Sequence, residues 1–354
     1  MSIRSTMLPL AGIAVFFAIA AAQSTTSDLP SAPSAAKEAQ KPKAPAPAPQ
    51  VPAEAQTPPK LTPPATPTAP EPDDSTTVIR TTVNEVNVIF TVTDKKGRYI
   101  TDLKRDDFHV VDDGRPAIEI RSFHRETNLP LQVGLLVDAS NSVRDRFRFE
   151  QESAIEFLNQ TIRPRYDKAF TVGFDATPEV TQDFTDNTEQ LSKGVRALRP
   201  GGGTAMYDAL YFACRDKLGK QPQNGPVRRA IVLLSDGDDN QSHVSREEAI
   251  EMAQRAEVIV YTISTNIAGS RNAGDKILSR IADATGGRAF FPFQITDVAN
   301  AFSEIQDELR SQYALSYKPA EFRADGRFHT IEILAQNKKG MRVRTKHGYF
   351  APMQ

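Results

Sequence analysis

From Leu131 to Arg310 the chain alternates two textures: short apolar runs, and longer stretches with apolar residues on one helical face. LQVGLLV (Leu131–Val137), Lys168–Phe174, RAIVLL (Arg229–Leu234), Val258–Ile263 and Arg288–Phe291 have strand length, and several are almost wholly apolar. Such runs predict strands buried on both faces. Between them, Val143–Ile162 places Phe147, Ala154, Ile155, Phe157, Leu158 and Ile162 at helical spacing and stops before Pro164, which cannot continue a helix. Thr188–Leu198, Ala205–Leu218, Ser245–Ala256, Asp275–Ala284 and Asp297–Arg310 read the same way, with Ser245 and Glu248 spaced as a capping box. Strand–helix alternation of this kind predicts an α/β fold, a doubly wound, mostly parallel sheet with helices on both faces.

On either side the period changes from helical to two. Val83, Val86, Val88, Phe90 and Val92 alternate within VIRTTVNEVNVIFTVTD, and Asp107–Val111 and Ile118–Phe123 follow as further strands. After Ser311, Tyr313–Tyr317, His329–Leu334 and Met341–Thr345 read as strands separated by Ala324-Asp325-Gly326 and Lys338-Lys339-Gly340 turns. Each β-rich piece is too small to bury a core alone. Residues 76–128 and 311–354 are therefore expected to pair into one small β-sandwich in which the α/β unit, residues 129–310, is inserted; two independent β-modules are the alternative.

The N-terminus has a third texture. Met7–Ala20 is an apolar run behind Arg4, and Ala20-Ala21-Ala22 offers a small-residue cleavage site, so residues 1–22 read as a signal peptide or an N-terminal anchor. The run is short for a membrane span, which takes about 20 residues. Gln23–Ser75 holds 14 of the chain's 25 prolines. That composition predicts a disordered, extended linker reaching on the order of 150 Å. The protein is thus expected to be exported: periplasmic, at the cell surface or secreted, or held at the inner membrane by a retained N-terminal segment.

Net charge is −1 and there is one cysteine, Cys214. No bulk attraction to nucleic acid follows, and no intramolecular disulfide can form. Cys214 lies beside Tyr211 and Phe212 in a predicted helix, where it reads as a packed thiol rather than a nucleophile.

The chemistry gathers at strand ends. Asp138 closes the first apolar run and is followed by Ser140 and Ser142; Asp236 closes another; Thr204 follows Gly201-Gly202-Gly203. In an open α/β sheet ligands sit outside the carboxyl ends of the strands. Two carboxylates and three hydroxyls there form an all-oxygen set suited to Mg²⁺, with Mn²⁺ or Ca²⁺ tolerated, rather than to zinc. Two carboxylates leave such an ion short of charge, so an Asp or Glu of a partner protein is expected to complete its shell.

These three elements resemble the von Willebrand factor type A (VWA) domain with a complete metal-ion-dependent adhesion site, over residues 129–310. Carried over by position, the resemblance assigns the metal shell to Asp138, Ser140, Ser142, Thr204 and Asp236. The layout, with TDKKGRYITDLKRDDFHVVDDG before the domain and HGYFAP near the end, is similar to secreted VWA-related proteins of the acidobacterial type, a family that implies no common biochemical role. The expectation is a non-enzymatic, metal-dependent adhesion or protein-binding module of the cell envelope. Its alternatives are a hydrolase using the ion to activate water, and an envelope scaffold with a non-functional metal site. Asp238 and Asp239 are either a second cation site or solvated turn residues. No GxSxG, HExxH or P-loop motif occurs.

Overall fold

The computed structural model describes residues 85–353 apart from 126–128, 145, 222–226, 267–269, 295 and 337–339. The export segment and Pro-rich linker predicted for residues 1–75 lie outside them. Among the described residues no helix is long and apolar enough to cross a membrane.

The central sheet is organised around β5 (Leu131–Asp138) and β8 (Arg228–Ser235). To these are added β6 (Lys168–Phe174), β7 (Pro178–Thr185), β9 (Val258–Ser264) and β10 (Ala289–Phe290), in the order β10-β9-β8-β5-β6-β7. All neighbours run parallel except β6 and β7. β8 is buried at every residue, as a strand covered on both faces must be.

The period of two assigns alternate side chains to two cores. Val133, Leu135 and Val137 face one cluster and Leu136 the other. The first core is closed by α1 (Phe147–Thr161), α2 (Thr188–Ala197) and α6 (Asp297–Arg310), with Phe157 stacked on Phe302 at 5.0 Å. The second is closed by α3 (Met206–Phe212), α4 (Arg246–Arg255) and α5 (Ala273–Thr285).

Three local expectations change. β7 is an antiparallel edge strand where the sequence predicted none, because PEVTQDFT is half-exposed throughout and lacks the apolar run of a central strand. The helix predicted from Val143 starts at Phe147, after a 3-10 turn over Asn141–Val143. The helix predicted over Ala205–Leu218 is α-helical to Phe212 and π-helical over Ala213–Leu218.

The flanking segments form two four-stranded sheets, with β1 (Val86–Thr93), β2 (Phe108–Asp112), β3 (Arg115–Pro116), β4 (Glu119–Arg125), β11 (Tyr313–Lys318), β12 (Phe328–Ala335), β13 (Arg342–Thr345) and β14 (Gly348–Phe350) ordered β13-β1-β11-β4 and β14-β12-β2-β3. Each sheet mixes strands from before and after the α/β unit. Between the sheets Phe90 meets Phe108 edge-on at 5.0 Å and stacks on Tyr313 at 5.5 Å. The α/β unit leaves the sandwich after β4 and returns at β11, where Arg125 and Tyr313 are cross-strand partners. The fold is the one the patterning predicts: a doubly wound α/β unit set within a small β-sandwich.

Candidate metal centre

β5 and β8 are adjacent, yet the chain passes from β5 to β6 on one side and reaches β8 on the other. Their carboxyl ends therefore flank the switch point, where a crevice opens. Asp138 ends β5 and is fully buried. Its Oδ1 accepts the backbone N–H of Ser140 at 2.9 Å, and its Oδ2 accepts the hydroxyl of Ser235 at 2.9 Å. The first bond turns the chain so that the Ser140 and Ser142 hydroxyls meet at 2.9 Å. The Ser142 hydroxyl then donates to Asp236 Oδ2 at 2.9 Å, and Asp236 Oδ1 accepts the Asp238 N–H at 3.1 Å. A continuous row of oxygens thus runs from the Ser140 hydroxyl to Asp236, opening to solvent at Ser142.

The glycine loop is held between the two strand ends. Gly201 N–H donates to Ala139 O at 2.7 Å, and the Asn141 amide reaches Gly202 O at 3.3 Å. On the other side Thr204 N–H donates to Asn240 Oδ1 at 3.0 Å, while the N–H groups of Asn240 and Gln241 return to Thr204 O at 3.0 and 3.1 Å. A Cβ on Gly203 would sit 2.7 Å from Gln241 Cγ and 2.8 Å from Asn240 Oδ1, so a side chain there would push the loops apart. Thr204 is buried and fixed through its backbone. Its hydroxyl makes no hydrogen bond to the other four residues.

Among the described residues neither Asp138 nor Asp236 forms an ion pair, and Arg146 is paired with Glu150. Burial raises the Asp138 carboxyl to about 6, and the Asp236 charge adds to this against hydrogen bonds from Ser140 and Ser235. Behind them in α1 lies Glu150, which sequence reasoning did not single out. It is buried, neither carboxylate oxygen has a hydrogen-bond partner, and Arg146 Nε stands 3.3 Å from Oε1. Burial, then the charges of Asp138 and Asp236, push Glu150 up to about 8 despite Arg146. Ser235 was also missed. As the last residue of β8 it steadies Asp138 and accepts Gly237 N–H at 3.1 Å; its signal is a hydroxyl between an apolar run and Asp236.

Asp239 serves the loop. Its oxygens accept Tyr207 N–H at 2.9 Å, Ser242 N–H at 3.0 Å and the Ser242 hydroxyl at 2.7 Å, tying the start of α3 to the segment before α4. Cys214 is buried in the second core, and burial raises its thiol well above the ordinary value. A separate acid–histidine group, Asp112, Asp113 and His329, lies in the sandwich. Its atoms already bind one another and the Tyr317 and Tyr349 hydroxyls.

The family model for the von Willebrand factor type A domain matches residues 132–308, half of the chain. The chain belongs to the VWA domain family. Around this VWA domain, calcium-activated chloride channel regulator 1 of Bos taurus is 30% identical over 184 residues, covering 49% of this chain and 19% of that protein. The chain therefore spans about a fifth of the length of that curated relative. Among solved structures, proximal thread matrix protein 1 from the mussel byssus, with a zinc occupied MIDAS motif, is 16% identical with a TM-score of 0.45, covering 56% of this chain and 49% of that one. The vWF domain of the type V pili tip protein Mfa5 from Porphyromonas gingivalis is 16% identical with a TM-score of 0.40, covering 51% and 95%.

Proposed function

We propose that the protein is an exported, non-enzymatic protein-binding module whose VWA domain holds one Mg²⁺ ion through Asp138, Ser140, Ser142, Thr204 and Asp236. The observation that carries this reading is the row of oxygens at the switch point, Ser140 Oγ to Ser142 Oγ to Asp236 Oδ2, with 2.9 Å between neighbours. The donors are hard oxygens with no Cys or His among them, which favours Mg²⁺ or Mn²⁺ over zinc. Among the described residues neither the buried Asp138 nor Asp236 has a cation within ion-pairing distance, Arg146 being turned to Glu150, and this supports the same reading, since a cation offsets both desolvation and repulsion.

Asp138, Ser140, Ser142, Thr204 and Asp236 would hold the ion, which would supply positive charge for an Asp or Glu of a partner protein to bind. The chain's own residues set the rest. Asp138 is oriented by Ser140 and Ser235, and Thr204 is fixed by the Asn240 loop. The exposed side of Ser142 leaves an approach from solvent.

The test is Mg²⁺ titration calorimetry joined to capture of envelope proteins with Mg²⁺ or with EDTA. Wild-type protein is expected to bind Mg²⁺ at one site and to capture a partner only with metal. Asp138→Ala and Thr204→Ala are expected to weaken Mg²⁺ binding at least about tenfold and abolish capture, with the fold intact by circular dichroism; a single carboxylate or hydroxyl ligand is worth a few kcal/mol. Capture unchanged in EDTA would sink the reading. A Mg²⁺-dependent phosphatase or esterase activity lost in Asp138→Asn would replace it with the hydrolase alternative.

A further inference from the structure

At the opposite end of the central sheet, where β8 and β9 begin, a cavity of about 890 Å³ opens between the VWA domain and the outer face of the β13-β1-β11-β4 sheet. Its walls include Ile89 of β1, Leu129 just before β5, and Val227 and Ile259 at the starts of β8 and β9. Its size and mixed lining fall within the range of small-molecule sites.

The charge in this cavity is one-sided. Arg125, Arg229 and Lys346 line it against one carboxylate, Glu257, which lies 3.4 Å from the Lys346 ammonium. Arg229 is the unusual member. It is 8% exposed, its Nη1 donates to the Ala256 carbonyl at 3.1 Å, and its buried Nε has no hydrogen-bond partner. No carboxylate lies within ion-pairing distance of it among the described residues. A buried guanidinium held by one backbone carbonyl is poorly compensated, and a carboxylate is the group that would compensate it.

We infer that this cavity binds an amphipathic carboxylate, its head group on the buried Arg229 and its aliphatic body along Ile89, Leu129, Val227 and Ile259. A monoanion is favoured over a phosphate because Lys346 is already paired with Glu257 and Arg125 is exposed to solvent, which leaves the desolvated Arg229 to balance one charge. The inference does not depend on the metal centre, since none of the five oxygen donors lines the cavity.

The experiment is calorimetric titration of the full chain with decanoate, decanol and decyl phosphate, each below its aggregation limit, with EDTA present throughout. Decanoate is expected to bind saturably at one site, with decanol at least about tenfold weaker. Arg229→Gln is expected to lower decanoate affinity about tenfold. Asn87→Trp, which fills the cavity mouth from an exposed position on β1, is expected to do the same without touching the buried arginine. Equal binding of decanol and decanoate, tighter binding of decyl phosphate, or unchanged decanoate affinity in both folded variants would overturn the assignment. So would an absence of saturable decanoate binding.

Discussion

Ser235 does two jobs with one hydroxyl. It donates to Asp138 Oδ2 at 2.9 Å and accepts Gly237 N–H at 3.1 Å, so it ties the first acid of the centre to the loop carrying the second. That loop has little slack. Gly237 has a φ of +85°, and a Cβ on Gly274 would stand 2.1 Å from the Asp236 carbonyl oxygen. Ser235→Ala is expected to cost about 1–3 kcal/mol of stability, because it strips a buried acceptor and a buried donor of their partner at once. It should also weaken Mg²⁺ binding, though less than Asp138→Ala, because the carboxylate remains while its orientation loosens. Titration calorimetry and urea unfolding of the same variant check both; unchanged stability would mean that water replaces the hydroxyl. At this scale the meeting of Asp138, Ser140, Ser142 and Asp236, with the Thr204 loop beside them, was legible, since apolar runs and a glycine cluster announce the strand ends and the tight loop. Ser235 and Glu150 were not, because each lies inside an element and becomes polar machinery only through what folds against it.

At the scale of elements, β12 is joined to the turn after β2 by a histidine between two carboxylates. His329 Nδ1 lies 2.7 Å from Asp113 Oδ2 and Nε2 lies 3.2 Å from Asp325 Oδ1, while the ring stacks on Tyr349 at 5.4 Å. Both ring nitrogens can donate only when the imidazole is charged. Burial pulls the His329 pKa down, but hydrogen bonds to Asp325 and Asp113 outweigh it and hold the group above its ordinary value. Asp113 is held low by the Thr330 N–H and by His329 despite burial, and Asp325 is held low first by the Arg327 N–H. A raised histidine stabilises the fold fully below its unfolded pKa, about 6.5, and loses that contribution as pH rises through its folded value. The lowered aspartates contribute above their unfolded value, about 3.9, and lose it as pH falls through their folded ones. The clamp is therefore complete between about pH 4 and 6.5. Asp112, raised by burial and then by the Asp113 charge against hydrogen bonds from Tyr317 and Tyr349, works in the opposite sense, its ionisation costing stability as pH rises. His329→Gln is expected to lose about 1–2 kcal/mol at pH 6, a figure discounted because Asp113 is half exposed, and much less at pH 9. A gap independent of pH in urea unfolding would remove the charged histidine from the account. The strands so joined were visible as a period of two. The antiparallel β7 was not, because an edge strand half open to water carries no apolar run, and the clamp was not, because Asp113 lies 216 residues from His329 in sequence.

For the whole molecule, the question is what couples the sandwich to the domain inserted in it. The α/β unit leaves and re-enters through adjacent strands, and the last turn of α6 carries Glu308 into the seam. Glu308 is buried; its Oε2 accepts the Tyr99 hydroxyl at 2.9 Å and Arg344 Nη1 at 2.9 Å, both from the sandwich side, and its Oε1 has no hydrogen-bond partner. Burial, and then the Glu308 charge, raise the Tyr99 pKa, so the phenol keeps its proton and donates. The insertion itself was legible, since two half-sized β-rich pieces on either side of an α/β unit call for each other. This contact was not, because Tyr99 and Glu308 lie 209 residues apart and neither marks itself as a seam residue. Breaking a buried ion pair from one side costs about 3–5 kcal/mol. Arg344 is about a third exposed and Tyr99 stays in place, so Arg344→Met is expected to cost nearer to about 1–2 kcal/mol. Glu308→Gln removes the charge that makes the loss of Arg344 expensive. The two substitutions together should then cost less than their sum, by about 1 kcal/mol in a double-mutant cycle read from urea midpoints. Strict additivity would mean that the buried carboxylate is satisfied by Tyr99 and water alone, leaving apolar packing and the paired strands to hold the VWA domain in its sandwich.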